Sequence, residues 1–247
     1  MKLNSLTIAV LIIFTILFVD CKKNNSGRLS VPDLAGSGYM PEVKGVKLTY
    51  TNSDGSTQIT TVTDVRDSAG YKVSSLLNEI PGFGIFVSLS MYNEKHTFIY
   101  QYPTPVYYQS LQLIALQPGV KGLSHKESPF VITVLHKDPV GSVACNETQF
   151  AEYHYFIGDD PPLEIDFTGT NHKGITDSTE SINVHGGKFD CIRVRFSNTT
   201  VFKGVPMAPV TTDITCWVAL KTGLVKTVSI SSNGDINTLE LTKVERE

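Results

Sequence analysis

The residue best suited to nucleophilic chemistry in this chain is Cys145. Its sulfur would need a histidine as general base, and His136 and His154 are the nearest histidines in the sequence. The chain contains no Gly-x-Ser-x-Gly, P-loop, His-Glu-x-x-His or dinucleotide-binding motif. We therefore assign no catalytic residue and expect a protein that is not an enzyme. A hydrolase that uses Cys145 is the alternative.

Carboxylates cluster around a proline turn at Pro161 and Pro162, namely Asp159, Asp160, Glu164 and Asp166. Oxygen-rich loops can bind Ca²⁺, but the Asp-x-Asp-x-Asp-Gly spacing is absent. Glu152 and His154 would project to one face of a strand, yet two ligands are too few for a closed metal site. We expect no metal and no cofactor. Two carboxylates could also hydrolyse an envelope glycan or polymer, which extends the hydrolase alternative.

Cys191 and Cys216 lie on successive predicted strands and could face each other as a disulfide. A bridge of this kind would stabilise the fold by about 3 kcal/mol. The alternative is a set of unpaired thiols that pack in the core as small apolar groups.

The N-terminus has the form of an export signal. Lys2 precedes an uncharged apolar run from Leu6 to Val19, which is short for a membrane-spanning helix. Cys21 follows at once, and the segment resembles a bacterial lipoprotein signal, especially those of Bacteroidetes. Asp20 departs from the small neutral residue of such signals. We expect residues 1–20 to be removed, Cys21 to carry fatty acids such as palmitate, and residues 21–44 to form a tether. An uncleaved signal anchor is the alternative.

The body of the chain, residues 45–247, has a dominant period of two. Turn signals such as Asn52–Gly55 and Ser232–Asp235 separate the alternating stretches, which favours an antiparallel sheet. Residues 106–117 fit a short helix or a strand equally well. We predict a single mainly β domain with at most one or two short helices. The predicted strands are Val46–Tyr50, Gln58–Val65, Tyr71–Leu76, Ile85–Tyr92, Thr97–Gln101, Phe130–Leu135, Phe150–Ile157, Lys188–Ser197, Thr212–Leu220, Leu224–Ser231 and Asn237–Val244.

The C-terminal part resembles envelope lipoproteins of unknown function from Bacteroidetes. The resemblance rests on Gly187–Val194, on Trp217–Ala219 followed by Gly223–Lys226, and on Leu239–Leu241. These proteins have a relative among domains of unknown function that are similar to the Lol-type lipoprotein carriers. The resemblance implies a single antiparallel, strongly curved sheet, an unclosed β-barrel whose mouth a helix could fill. It carries no catalytic residue.

A curved sheet offers a concave hollow, and such hollows are common ligand sites. We expect Ile192, Val194, Phe196 and Trp217 to line it, with Trp217 packed in the concave core; stacking of Trp217 on a ligand is the alternative. The hollow could bind a lipid. A strand edge beside it could instead bind an envelope protein by β-augmentation.

Composition limits the classes of function. Hydrophobic residues make up 41% of the 247 residues, charged residues make up 18%, and the net charge is −3. These values exclude a disordered chain, and without a basic excess we expect no nucleic-acid partner. The sequence predicts an envelope lipoprotein, anchored to the outer membrane by its lipid and facing the periplasm. Its function would be to bind a hydrophobic ligand or a protein partner, or to serve as a structural subunit of an envelope assembly.

Overall fold

The computed structural model describes residues 38–81, 84–101, 120–145, 148–157, 163–204 and 206–246. Every regular element in these ranges is a strand, which confirms the predicted mainly β class. The signal, Cys21 and the segment 106–117 lie outside the described residues. The strands are β1 (Val46–Asn52), β2 (Thr57–Ser68), β3 (Tyr71–Ile80), β4 (Gly84–Tyr92), β5 (His96–Gln101), β6 (Val120–Glu127), β7 (Phe130–Leu135), β8 (Val143–Cys145), β9 (Thr148–Ile157), β10 (Leu163–Asn171), β11 (Gly174–Val184), β12 (Gly187–Lys203), β13 (Val210–Ala219), β14 (Gly223–Ser231) and β15 (Ile236–Arg246).

The alternation seen in the sequence corresponds to two faces of one sheet. In β1, Val46, Leu48 and Tyr50 are buried while the residues between them are partly exposed. In β7, Phe130 and Val134 alternate in the same way with half-buried neighbours. Successive side chains of a strand point to opposite faces, so each strand contributes one row to the interior.

All strand pairs are antiparallel, and most are hairpins between neighbours in sequence. The hydrogen-bonded order is β6-β9-β10-β12-β13-β14-β15-β1-β2-β3-β4-β5-β7, and β8 joins the sheet through β11. The long strand β12 is a branch point. Its first half pairs with β11 from Gly187 to Arg195, and its second half pairs with β10 from Asn198 to Lys203.

The sheet curves into a nearly closed barrel with one unsealed seam. β7 ends the strand order and pairs with β5 alone, while β8 pairs with β11 alone. The two strands approach each other across the seam, but no ladder joins them among the described residues. The predicted unclosed barrel is thus confirmed.

One continuous core fills the barrel. Leu48, Ile192 and Leu241 are among its fully buried side chains. The rings of Phe130 and Phe196 meet across the interior, with their centroids 4.8 Å apart. Strands from both halves of the sheet therefore bury their apolar rows against each other.

A short segment, Gly38–Pro41, packs across one end of the barrel, and we call it the strap. The backbone carbonyl of Gly38 accepts a hydrogen bond from Lys221 N at 2.7 Å. Met40 is buried in the core, and Pro41 O accepts a bond from the Ser74 hydroxyl at 3.3 Å. The last residues of the predicted tether therefore belong to the body. Its first part, residues 21–37, lies outside the described residues.

No helix in the described part of the chain is long and apolar enough to cross a membrane.

Candidate functional site

The predicted hollow is occupied by the protein itself. Ile192, Val194 and Phe196 share the inward face of β12, as expected, and all are buried within the common core. Their cross-strand partners Val218 and Ile214 on β13 belong to the same packed cluster. At these positions the concave face is filled by side chains that contact one another.

Trp217 lies on the other face of the sheet, which corrects its predicted place in the hollow. Its ladder partner is Arg193, and directly opposed residues share a face. The indole Nε1 donates a hydrogen bond to Glu180 Oε1 at 2.9 Å. The Lys226 ammonium lies 5.9 Å from the centroid of the ring and pairs with Glu240 at 2.6 Å. Trp217 is thus a partly buried side chain of the outer face that packs against the core cluster and has Glu180 and Lys226 as charged neighbours.

Asp177 is the centre of this outer network. Its carboxylate is almost fully shielded and accepts two bonds from Arg193, at 2.8 and 3.1 Å. It also forms an ion pair with Arg195. The hydrogen bond from Arg193 holds the pKa of Asp177 below its ordinary value. Arg193 in turn reaches Glu180 at 3.1 Å, so the network runs from β11 across to β15.

Part of the barrel interior is polar. The Thr60 hydroxyl donates to Asn78 Oδ1 at 2.8 Å, and the Asn78 amide donates to the Ser88 hydroxyl at 2.9 Å. Ser90 is fully buried on the same inward face of β4, and its hydroxyl has no hydrogen-bond partner within the described structure. This polar row distinguishes the β2–β4 side of the interior from the apolar β12–β13 side.

The three described cysteines are buried free thiols. Cys191 pairs with Ala219 and Cys216 with Val194, so the two thiols project from opposite faces of the sheet. The possible disulfide between them does not form, and the three described cysteines agree with the alternative of unpaired thiols packed in the core. Burial raises the pKa of Cys145 to about 11, that of Cys191 to about 12 and that of Cys216 to about 11.

Cys145 contacts a histidine, but not through the ring. Its thiol donates to the backbone oxygen of His172 at 3.6 Å, whereas the His172 ring contacts the Thr199 hydroxyl through Nε2 at 2.8 Å.

Asp159 and Asp160 lie outside the described residues. On the backbone ladder, Asp166 of β10 is the partner of His154 on β9. The described residues form no group of three or more metal-ligating side chains.

At the seam, the structure exposes apolar side chains that the sequence analysis did not identify. Val143 of β8 and Ile175 of β11 are ladder partners, and 39% and 41% of their surfaces are exposed. Val140 lies just before β8 and is 54% exposed. Val143 and Ile175 are thus adjacent exposed apolar side chains, and Val140 lies three residues before Val143. They lie beside the edges of β7 and β8, which no ladder joins within the described ranges. Because β8 has only three residues, its alternation is too short to be detected as a strand.

Comparison with known proteins finds the same fold in solved structures. A protein assigned as a lipoprotein from Parabacteroides distasonis matches with a TM-score of 0.58 and 14% identity, over 85% of this chain and 99% of that one. An exported protein with a YmcC-like fold from Bacteroides fragilis matches with a TM-score of 0.57 and 10% identity, over 85% and 100%.

No family model matches the sequence, and no curated protein matches it. The resemblance to the Lol-type carriers is not among these findings and stays a prediction. At these levels of identity, the likeness establishes a common fold. The chain has the barrel-like fold of these lipoprotein and exported-protein structures.

Proposed function

We propose that the protein is an envelope lipoprotein, held at a membrane by acylated Cys21, that binds another envelope protein along the seam of its barrel without catalysing a reaction. The observation that carries this proposal is the seam. There, among the residues that the structure describes, no ladder joins β7 to β8, and the exposed apolar side chains Val140, Val143 and Ile175 lie beside these edges.

The strand edges supply the means of recognition. An extended segment of a partner can pair with an unpaired edge through main-chain hydrogen bonds, and adjacent apolar side chains add specificity. In the described part of the chain, residues 131–135 of β7 have no ladder partner beyond β5, and Val143 and Ile175 lie on the opposite side of the same seam. Exposed edges are otherwise a liability that proteins cover or charge. In this row Val143 is at the edge and faces Ile175, and the first charged residue is Arg195 on the far side of Ile175.

Binding inside the barrel is less well supported than binding at its edge. Three of the side chains expected to line the hollow are packed into the core, and the fourth lies outside. A hydrophobic ligand in that place would have to displace buried residues such as Phe196 and Phe130.

The envelope location is supported by two independent features. The run Leu6–Val19 followed by Cys21 resembles a lipoprotein signal. The structures that share the fold include one assigned as a lipoprotein and one assigned as an exported protein.

Site-specific photo-crosslinking in Gram-negative cells that produce the full chain tests the proposal. The photoreactive amino acid is placed at Val143 in the seam, and separately at Val140. Leu220, which is 48% exposed on the β13–β14 turn, is the matched control. We expect one and the same protein adduct from both seam positions, and none of this adduct from Leu220.

A charged residue at the seam should then abolish the adduct. Ile175→Lys places an ammonium beside Val143 without touching the crosslinking position, and we expect it to remove most of the product. Equal crosslinking from Leu220, or a product that survives Ile175→Lys, would contradict binding at the seam.

A further inference from the structure

The outer surface of strands β3 to β5 differs from the rest of the barrel. On β4, Ser88 and Ser90 point inward, so Ile85, Val87, Leu89 and Met91 point outward. On β5, Thr97 and Ile99 point inward, so Phe98 and Tyr100 point outward. We call these six outward side chains the β4–β5 outer face.

The ladder register shows that this face is continuous. Met91 pairs with Phe98, and Leu89 pairs with Tyr100. The same rows extend to Thr133 and Val131 on β7 and to Val73 on β3. The rows of Met91 and Leu89 contain no charged residue between β3 and β7, whereas the row of Ile85 has Glu79 on β3. The nearest charges on β2 are Asp64 and Arg66, which pair with each other at 2.7 Å.

The opposite arrangement is found on the other side of the barrel. There the outward rows of β11 to β15 carry the ionic network of Asp177, Arg193, Arg195, Lys226 and Glu240. Exposed apolar side chains also occur on this side, at Ile230 and Ile236, but here they lie on the same surface as the ionic network. The difference indicates two different surroundings.

Exposure is greatest near the β3–β4 end of the β4–β5 outer face. Ile85 is 63% exposed and Val87 is 52% exposed. They are direct neighbours of Glu79 and Leu77 on β3. Toward the other end, the Phe98 ring lies 6.5 Å from that of Tyr100 and 6.2 Å from that of Tyr71. Apolar side chains flanked by aromatic rings are typical of surfaces that meet the interfacial region of a bilayer.

The strap connects the N-terminal segment to the same strands. Gly38 lies so close to the Tyr92 ring at the end of β4 that an added Cβ would be 2.8 Å from it. The Tyr39 N–H donates to the Thr97 hydroxyl at the start of β5, at 3.0 Å. The chain from Cys21 to Gly38 can span at most about 60 Å. The described chain begins at this end of the barrel, where Gly38 O also accepts a hydrogen bond from Lys221 N on the β13–β14 turn. The reach of the preceding chain is long enough to let the β4–β5 outer face meet the membrane.

We propose that the β4–β5 outer face lies on the lipid surface of the membrane to which the chain is tethered. The occupant is the bilayer itself, in its headgroup and upper acyl region. This places the charged β11–β15 surface toward water. The inference rests on the proposed membrane attachment, but it does not depend on which group provides it, because an uncleaved apolar segment would also hold the chain there.

Fluorescence quenching on vesicles tests this placement. The protein, produced with its native N-terminus and extracted from membranes, is reconstituted into phosphatidylethanolamine–phosphatidylglycerol vesicles that contain nitroxide-labelled lipid. A fluorophore is attached at Ile85→Cys. Ile236→Cys on the β14–β15 hairpin is the matched control, because the two isoleucines are 63% and 64% exposed. The three described native thiols are buried, which directs the label to the new cysteine, and the unsubstituted protein treated in parallel measures any label at Cys21.

We expect quenching to be about threefold stronger at position 85 than at position 236, since only the former meets lipid. Val87→Glu should weaken the quenching at position 85, whereas Ile230→Glu should not. Equal quenching at both positions would overturn the proposal. Energy transfer between labels on two copies, with weak quenching by lipid, would assign the face to a second copy and overturn it as well.

Flotation of the vesicles separates this result from the proposed attachment. A chain that does not float with vesicles is not held at the membrane, and that result overturns both proposals. A chain that floats but shows equal quenching at the two positions overturns only the placement of the face.

Discussion

At the scale of single residues, Asp177 is the side chain on which the outer surface of β11 to β13 depends. It is almost fully shielded, and it binds two guanidinium groups that would otherwise repel each other. Both arginines remain partly exposed, so solvent screens the interaction and keeps its contribution moderate.

Asp177→Asn should lower the free energy of unfolding by about 1–2 kcal/mol at pH 7, because the amide keeps the shape but loses the charge. The pKa of Asp177 is lowered in the folded state, so its contribution is present above the unfolded value of 3.8 and is lost as pH falls through the folded value. Urea unfolding at pH 7 and near pH 3 measures this, with Asp213→Asn as the exposed control. If the loss of unfolding free energy in Asp177→Asn were as large near pH 3 as at pH 7, the ionised Asp177 carboxylate would not be the stabilising group.

The thiols give a second prediction at this scale. Because Cys145, Cys191 and Cys216 are buried and their pKa values are raised, they should not react with a thiol reagent at pH 8 in the native protein. After denaturation without reductant, all three should be alkylated, as mass spectrometry would show. Two residues protected until reduction would instead reveal a disulfide.

The error about Trp217 has a simple physical origin. In a strand, a shift of one residue moves every side chain to the other face. The sequence of β13 includes Ile214, Thr215, Cys216, Trp217 and Val218. From the alternation alone, the inward set could be the even-numbered or the odd-numbered residues. The row of Ile214, Cys216 and Val218 is uniformly apolar, and that signal could have placed Trp217 outside.

At the scale of elements, the strap shows that the packed domain begins before β1. Met40 is buried, with its sulfur against Gly223, where an added Cβ would lie 2.7 Å from it. The sequence around it is rich in glycine and proline, so no period reveals that the strap packs on the barrel.

Met40→Ala should lower the free energy of unfolding by about 2–3 kcal/mol, through lost apolar burial and the cavity that remains. Lys44→Ala, at an exposed position just beyond the strap, should change it by less than about 0.5 kcal/mol. Chemical denaturation measures both. Equal stability of the two variants would show that the strap does not hold the barrel end.

Close packing at β8 and β11 gives a third prediction of stability. A Cβ at Gly174 would lie 2.6 Å from Cys145 Sγ and 2.8 Å from the Arg195 carbonyl oxygen. Gly174→Ala should therefore cost about 1–3 kcal/mol and should make Cys145 accessible to thiol reagents as β8 loosens. Lys173→Ala, exposed and adjacent, serves as control. A stable Gly174→Ala variant with an unreactive Cys145 would contradict this packing.

Most strands could be predicted because one of their faces is buried and apolar. β6, β8, β10 and β11 could not. β11 is mostly polar, with Ser, Thr, Asn, Asp and Glu, so its alternation of burial has no matching alternation of hydrophobicity. β10 holds Glu164 and Asp166, which the sequence suggested as part of an acidic loop. The seam depends on β8, and so it could not be predicted either.

At the scale of the whole molecule, the barrel presents three distinct surfaces. The β4–β5 outer face is apolar, the β11–β15 surface is charged, and the seam between β7 and β8 has open strand edges. The strap brings the N-terminal chain to the end of β4 and β5. This arrangement suits a protein that is held at a membrane and leaves its seam available to a partner.

The mass of the mature protein is the most direct test of this account, because membrane attachment underlies both proposals. The protein is produced with its native N-terminus in Gram-negative cells, extracted from their membranes and measured intact and after proteolysis. We predict a chain that begins at Cys21 and carries fatty-acyl groups on it, and a Cys21→Ser variant that retains residues 1–20. A chain found in the soluble fraction with an unmodified Cys21 would contradict the account.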